Sequence, residues 1–244
     1  MPRLLHPILA AAALAVGCAE KPEDTAGSAD TGPWALPDDW TCGDDVVDAR
    51  DGNTYRSIAL GDQCWLRDNL GLGTMIESTA PGSLARDDGV VEKYCWDDDP
   101  GWCDGTAGRR PGGFYEWTEV LQDWSGDQPV QAARGICPAG FHVPSSAEWG
   151  VLVERYGGTC NRGQELLVGG STGFDALLTG YRCTLTGGFR PAMMSTDFRA
   201  YFWTSDTTTP GEAWLWEVSA SPVLHFDFDL SLGLSVRCIG DAPA

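Results

Sequence analysis

The sequence predicts an α+β domain in which an antiparallel β region accompanies one well-defined helix. A single stretch, about residues 145–156, shows a complete helical pattern, and no other window shows comparable helical periodicity. The C-terminal third alternates between apolar and polar residues, as strands do. With 31 glycines and 11 tryptophans, many aromatic side chains joined by glycine turns indicate a loop-rich domain and not a helical bundle.

The N-terminus has the features of an export signal over residues 1–17. A short basic region precedes the apolar run Ile8–Val16, and the small residues Ala15-Val16-Gly17 stand directly before Cys18. The apolar run is too short to span a bilayer as a permanent helix. The segment resembles a bacterial lipoprotein signal, which implies cleavage before Cys18 and lipid attachment to its thiol. We therefore expect a lipid anchor in the cell envelope, with plain secretion as the alternative; Ala19 favours the outer membrane.

Residues 18–40 are expected to be the lipidated cysteine and a disordered tether. Ala19–Trp40 is rich in Pro, Gly, Ser, Thr and acidic residues and poor in apolar ones. The folded domain is expected over residues 41–241, beginning near Cys42. Its first element is a predicted hairpin, in which Thr54–Leu60 and Gln63–Asp68 are joined across the turn Gly61-Asp62.

A long loop region is predicted next. Gly71–Gly113 shows little periodicity and much Gly, Asp and Pro. Phe114–Trp124, which follows, carries four aromatic residues and fits either a short strand or a helical turn.

The predicted helix has a clear start, face and end. Ser145 is a suitable N-cap, and Glu148 three residues later completes a capping box. The apolar face consists of residues at i, i+3, i+4 and i+7: Trp149, Leu152, Val153 and Tyr156. Gly157-Gly158 is expected to end the helix.

The C-terminal third predicts an antiparallel meander. Tyr201–Ser205 has the composition of a buried strand, and Trp214, Trp216 and Val218 occupy alternate positions further on. Every even position from Phe226 to Cys238 is apolar, and because this run is longer than a usual strand, a turn is expected within Asp229–Gly233. One face of the sheet should meet the helix and the other should meet solvent.

Charge and cysteine content restrict the partners and the compartment. The 35 acidic and 16 basic residues give a formal net charge of −19, so the field of the protein repels phosphate backbones and excludes nucleic acid as a partner. Nine cysteines fit an oxidising compartment. Once Cys18 is set aside, an even number remains, which fits four disulfides.

Several short motifs follow one another along the chain in a characteristic order. They are Asp51-Gly52-Asn53, Gly61–Leu66, Cys137–Pro144 with Glu148-Trp149, Gly180-Tyr181-Arg182, Tyr201–Ser205 and Gly233–Cys238. Together they resemble the Fibrobacter succinogenes major paralogous domain, over about Cys42–Asp241. That family is similar to the formylglycine-generating and sulfatase-modifying group, so the resemblance implies a C-type lectin-like fold with long loops over a small twisted sheet. It implies an exported, surface-anchored bacterial protein and no general catalytic role.

The resemblance, together with proximity along the chain, suggests how the cysteines pair and staple the loops. The expected bridges are Cys42–Cys64, Cys95–Cys103, Cys137–Cys238 and Cys160–Cys183. A zinc site is the alternative, but the sequence has no CxxC pair, and only His142 and His225 follow the signal.

His142 and Glu148 are the obvious candidates for catalysis. His142 stands just before the helix N-terminus, where the dipole would lower the pKa of its imidazole. In the related enzymes an arginine fills the matching place, and capping explains Glu148, so we expect structural roles for both. His225 begins an alternating strand and is expected on its solvent face. Formylglycine-generating enzymes use a late pair of copper-binding cysteines, whereas Cys238 stands alone here.

The loop region holds the candidate ligand-binding residues. Four acidic residues, Asp97, Asp98, Asp99 and Asp104, are close enough in sequence to offer oxygen ligands to Ca²⁺. They form neither an EF-hand nor the ligand motifs of sugar-binding lectins, and an exposed acidic loop is the alternative. Trp96 and Trp102 are candidates for stacking on sugar rings, with burial in the core as the alternative.

These observations predict a cell-envelope lipoprotein whose domain is a non-catalytic binding module without a required cofactor. Its expected partners are the membrane, through the lipid, and an extracellular polysaccharide or protein, through the loops of Gly71–Gly113. The alternatives are an oxidoreductase of the sulfatase-modifying type and a purely structural envelope or adhesion domain.

Overall fold

The computed structural model describes residues 35–78, 85, 89–105, 110–122, 134–157, 163–193, 197–220 and 223–241. Across these residues the protein is an α+β domain of small, mostly antiparallel sheets with few helices, which confirms the predicted class. The strands are β1 (Val46–Val47), β2 (Thr54–Tyr55), β3 (Ser57–Leu60), β4 (Gln63–Leu66), β5 (Thr74–Met75), β6 (Glu92–Lys93), β7 (Phe141–His142), β8 (Tyr181–Cys183), β9 (Gly188–Arg190), β10 (Ala200–Thr209), β11 (Glu212–Val218), β12 (Leu224–Asp229) and β13 (Ile239–Gly240). The α-helices are α1 (Pro100–Asp104), α2 (Trp117–Leu121) and α3 (Ser146–Leu152).

The first hairpin forms at the predicted turn. Leu60 of β3 lies opposite Gln63 of β4 across Gly61-Asp62. The predicted first strand is shorter than expected, because Thr54–Tyr55 pairs separately with β1. β3 and β4 continue into a four-stranded antiparallel sheet in the order β3-β4-β13-β7, with Ile239 of β13 lying between Trp65 and His142. The sheet therefore combines strands from both ends of the domain.

The predicted meander exists as the antiparallel sheet β10-β11-β12. A turn follows Asp229, as expected, but the apolar run then leaves the meander. Gly233, Leu234 and Ser235 form single bridges to Arg182, Tyr115 and Phe202, and β13 joins the other sheet. The expectation that one periodic run belongs to one sheet is therefore wrong. Phe228 is 41% exposed because β12 is an edge strand covered on neither side along most of its length.

The capping box at the start of α3 is confirmed. The Glu148 backbone N–H donates to Ser145 Oγ at 3.2 Å, and the Ser145 N–H donates to Glu148 Oε2 at 2.7 Å. A π-helical turn, Val153–Gly157, continues the helix to the predicted glycine. Trp149 is fully buried and lies 4.9 Å from Trp65 between ring centroids. The helix thereby attaches one sheet to the other, since Trp149 also stacks on Trp216 of β11.

The loop between the hairpin and α3 is less regular, as predicted. β5 and β6 form a two-residue parallel pair, and α2 shows that the helical alternative for Phe114–Trp124 is the correct one. Trp124 lies outside the described residues. The end of the expected tether, in contrast, packs on the core: Leu36 and Trp40 contact it, and Trp40 meets Phe141 edge to face at 5.6 Å.

Three of the four expected disulfides are present: Cys42–Cys64, Cys95–Cys103 and Cys137–Cys238. The last closes a separation of 101 residues, for which the chain-entropy view gives a stabilisation of about 4.7 kcal/mol. Cys18 and Cys160 lie outside the described residues, so the lipid anchor stays a prediction. Cys183 is described, and its thiol is free, so the structure does not form the expected Cys160–Cys183 bridge. No helix among the described residues is long and apolar enough to cross a membrane.

Candidate functional site

The segment between Cys95 and Cys103 is a small, closed loop. The disulfide joins its ends, a single turn spans Trp96–Asp98, and α1 completes it. Asp99 caps α1, because its Oδ1 accepts a hydrogen bond from the Gly101 N–H at 2.9 Å. The loop therefore holds its side chains in place without a large core of its own.

Trp96 lies at the centre of a cluster of aromatic rings. Its ring centroid is 5.4 Å from Phe189, 5.4 Å from Phe198 and 6.2 Å from Trp102. Trp102 in turn stacks on the buried Phe114 at 5.3 Å. Both tryptophans are half-buried, and Phe198 is 47% exposed. The two candidate tryptophans are thus brought together in a cluster that is packed on one side and accessible on the other.

An open depression of about 290 Å³ lies beside this cluster. It is lined by Ser78, Trp96, Asp97, Asp98, Thr186, Gly187, Gly188 and Phe189. One wall comes from the disulfide-closed loop, and the opposite wall comes from the turn between β8 and β9. Its lining combines two aromatic rings with two carboxylates and two hydroxyl groups, which is a surface suited to an amphipathic ligand.

The acidic residues of the loop occupy different positions and perform different tasks. Asp97 and Asp98 both adopt left-handed backbone conformations, with φ of 60° and 55°. Asp98 Oδ1 accepts a hydrogen bond from the Ser78 N–H at 2.8 Å, which joins the disulfide-closed loop to the segment that follows β5. The Asp97 carboxylate is exposed and forms no hydrogen bond with any described residue.

The candidate calcium site does not form in the part of the chain that the structure describes. No three acidic, histidine or cysteine side chains there are close enough to hold a metal ion. The physical reason is local: Asp99 and Asp98 each satisfy a backbone N–H, and Asp104 lies at the far end of α1. The prediction that Asp97, Asp98, Asp99 and Asp104 converge on one cation is therefore wrong for this structure.

Sequence reasoning missed the half of the site that β8 and β9 supply. Phe189 follows the turn Thr184–Gly187, and the pairing of Cys183 with Gly188 closes this hairpin. Gly180 allows the hairpin to approach Trp96, since a Cβ there would stand 2.3 Å from the Arg190 carbonyl oxygen and 3.0 Å from the Trp96 ring. The dipeptide Gly187-Gly188 is a turn signal in the sequence, but no local pattern indicates that the resulting hairpin faces Trp96.

His142 forms a second polar cluster, away from the depression. Its Nε2 lies 2.9 Å from Glu148 Oε1, and Nδ1 lies 2.6 Å from Asp241 Oδ1. Burial lowers the pKa of His142, but the two carboxylates outweigh burial and raise the pKa to about 9. The expected downward shift by the helix dipole is wrong, because direct hydrogen bonds to two anions exceed the dipole. Both imidazole nitrogens are therefore occupied by carboxylates.

His225 is exposed, as predicted, and its ring stacks on Trp214 at 4.1 Å and on Trp216 at 4.4 Å. Its Nε2 is 3.2 Å from Ser146 Oγ. This pair has the spacing of a nucleophile and a base, but Asp206 Oδ2 accepts a hydrogen bond from the Ser146 N–H at 2.5 Å. The Asp206 carboxylate would repel the negative charge that develops during acyl transfer. The geometry of Ser146 and His225 therefore does not support a catalytic role.

Comparison with known protein families matches residues 58–240 to the Fibrobacter succinogenes major domain. The match covers both walls of the depression and more than half of the chain, and it carries no information about activity. No curated protein and no solved structure shows significant similarity, so the C-type lectin-like kinship stays a prediction. By the extent of this match, the chain belongs to the Fibrobacter succinogenes major domain family.

Proposed function

We propose that this protein is a non-catalytic binding module that recognises an extracellular polysaccharide through the depression beside Trp96. The observation that carries the proposal is the placement of a half-buried tryptophan between further aromatic rings and two carboxylates, in an open depression. Aromatic side chains bury the apolar faces of sugar rings at low entropic cost. A shallow, open surface fits a chain that passes across it better than a small molecule that must be enclosed.

The polar groups support the same ligand class. The Asp97 carboxylate accepts hydrogen bonds from hydroxyl groups, and the Ser78 and Thr186 hydroxyls of the lining can donate and accept. Sugars display hydroxyl groups around an apolar ring face, so they match a lining of both kinds. The Cys95–Cys103 bridge reduces the freedom that the loop loses when a ligand binds.

We also propose that the domain stands outside the cell on a lipid anchor at Cys18. The support is the apolar run Ile8–Val16, the small residues before Cys18 and the oxidised state of three cysteine pairs. Incorporation of labelled palmitate tests the anchor. Cys18→Ser should lose the label and release the protein from the membrane fraction, and a variant that keeps the label would contradict the proposal.

The test of binding is a glycan array followed by affinity electrophoresis in polysaccharide gels. We expect saturable retention of the wild type, and a loss of about tenfold or more in affinity for Trp96→Ala, since ring stacking contributes about 1.5 kcal/mol. Phe228→Ala, on the edge strand β12, is the matched control because Phe228 is equally a partly exposed aromatic residue. Circular dichroism confirms that both variants fold.

Two outcomes would contradict the proposal. One is an empty array together with equal migration of wild type and Trp96→Ala in every polysaccharide gel. The other is capture of an envelope protein by the wild type, lost in Trp96→Ala, without any glycan binding; the depression would then be a protein interface.

A further inference from the structure

We infer that the depression selects uncharged polysaccharide chains over polyanionic ones and that Asp97 determines this selectivity. The inference rests on the proposed function, because it names the chemical class of the ligand at the same site. It assigns Asp97 a role in recognition and not in metal binding.

Negative charge predominates at the depression. Asp97 and Asp98 both line it, and none of its lining residues is cationic. The whole chain carries a formal net charge of −19, so the wider field adds to the local one. A uronate or sulfate group that enters the depression therefore meets repulsion that a hydroxyl group does not meet.

Asp97 is the carboxylate that is free to contact a bound ligand. Asp98 uses one oxygen to accept the Ser78 N–H, but Asp97 is exposed and makes no hydrogen bond with a described residue. Because an ionised carboxylate only accepts hydrogen bonds, it pairs with a hydroxyl donor and finds no donor on the carboxylate group of a uronate or on a sulfate group. Its position is defined, since Asp97 lies inside the disulfide-closed loop and directly follows Trp96, whose ring packs on Phe189.

The ring stacking and the charge act on different parts of the ligand. Trp96 contacts the apolar face of a sugar ring whether or not the sugar carries a charge, so it contributes to affinity for both classes of polymer. Asp97 contributes with opposite sign to the two classes. The structure thus separates a residue that supplies affinity from one that supplies selectivity.

The experiment compares matched neutral and anionic polymers, such as a neutral glucan and polygalacturonate, in affinity gels that contain EDTA. We expect the full-length protein to bind the neutral chain at least tenfold more tightly at low salt. Added salt should reduce this ratio, because it screens the repulsion at the exposed carboxylate. EDTA prevents calcium bridges between the carboxylates and polygalacturonate.

The decisive variant is Asp97→Asn, since asparagine is nearly isosteric and also tolerates a left-handed backbone. We expect it to gain about tenfold in affinity for the anionic polymer and to lose severalfold for the neutral one. Asp104→Asn, an exposed carboxylate that does not line the depression, is the matched control and should change neither affinity.

The outcomes distinguish this inference from the proposed function. If the wild type binds both polymers equally, or if Asp97→Asn behaves like Asp104→Asn, the selectivity is disproved although polysaccharide binding stands. If neither polymer class binds and the glycan array is empty, the proposed function itself fails.

Discussion

Nδ1 of His142 lies 2.6 Å from Oδ1 of Asp241, a contact between residues that are 99 positions apart. The Asp241 N–H also donates to the Gly140 carbonyl oxygen at 2.9 Å. Since Glu148 binds the other imidazole nitrogen, His142 connects the end of the described chain to the capping box of α3.

The stability of the fold should depend on pH through His142. Its pKa is raised from 6.5 to about 9, so its ionic contribution is complete below pH 6.5 and is lost as the pH rises through 9. We expect the difference in unfolding free energy between wild type and His142→Gln to shrink by about 2 kcal/mol from pH 6 to pH 9.5. This value is reduced from the full shift because the Asp241 side chain is 57% exposed.

Urea unfolding at the two pH values measures this effect. His225→Gln is the control, because burial lowers the pKa of His225 below 6.5, so its contribution to stability rises with pH instead of shrinking. A difference between wild type and His142→Gln that stays constant from pH 6 to pH 9.5 would show that folding does not raise the pKa of the imidazole.

Arg237 should be one of the least replaceable polar residues. It is fully buried, and its guanidinium donates to Asn69 Oδ1 at 2.7 and 3.0 Å and to the Phe174 carbonyl oxygen at 2.7 Å. Lysine offers a point charge without this planar fork. We expect Arg237→Lys to cost about 3 kcal/mol in unfolding free energy.

Chemical denaturation tests the prediction, with Arg190→Lys as the matched control. Arg190 is exposed on β9, so its replacement should stay within about 0.5 kcal/mol of the wild type. Equal stability of Arg237→Lys and the wild type would show that the buried hydrogen bonds contribute little.

Disulfide mapping tests the state of Cys183. Its thiol is free in the structure, so we expect mass spectrometry of the exported protein to find the three bridges of the structure and an unpaired Cys183. Alkylation without reductant should then modify Cys183 and leave the six bridged cysteines unmodified. Protection of Cys183 from alkylation would instead support the Cys160–Cys183 bridge that the sequence suggests and would count against a metal-dependent oxidoreductase, which needs a free thiol.

Local patterns predicted the elements that local interactions determine. Ser145 and Glu148 revealed the start of α3 because a capping box lies within four consecutive residues. The hairpin turn at Gly61-Asp62 was also predictable, because its signal lies within adjacent residues. The alternation from Phe226 to Cys238 was misleading, because an apolar residue at every second position shows that a segment is extended but does not name the sheet that it joins.

The sequence predicted only one of the two parts of the candidate site. Trp96 and Trp102 stood out through their position between two cysteines, and the structure places them together. Phe189 and Phe198 come from a distant part of the chain, and only the tertiary structure brings them against Trp96. The charge of His142 was mispredicted for a related reason, since Asp241 is remote in sequence and decides the sign of the pKa shift.

The place of β13 in its sheet has a consequence for biosynthesis. Ile239 pairs with both Trp65 and His142, so the strand that is synthesised after all others of this sheet lies in its middle. The hairpin β3-β4 and strand β7 therefore cannot be joined into one sheet until β13 has been synthesised, and Cys137 cannot form its bridge before Cys238 is present. Until then the edges of β4 and β7 that β13 covers stay unpaired in this sheet.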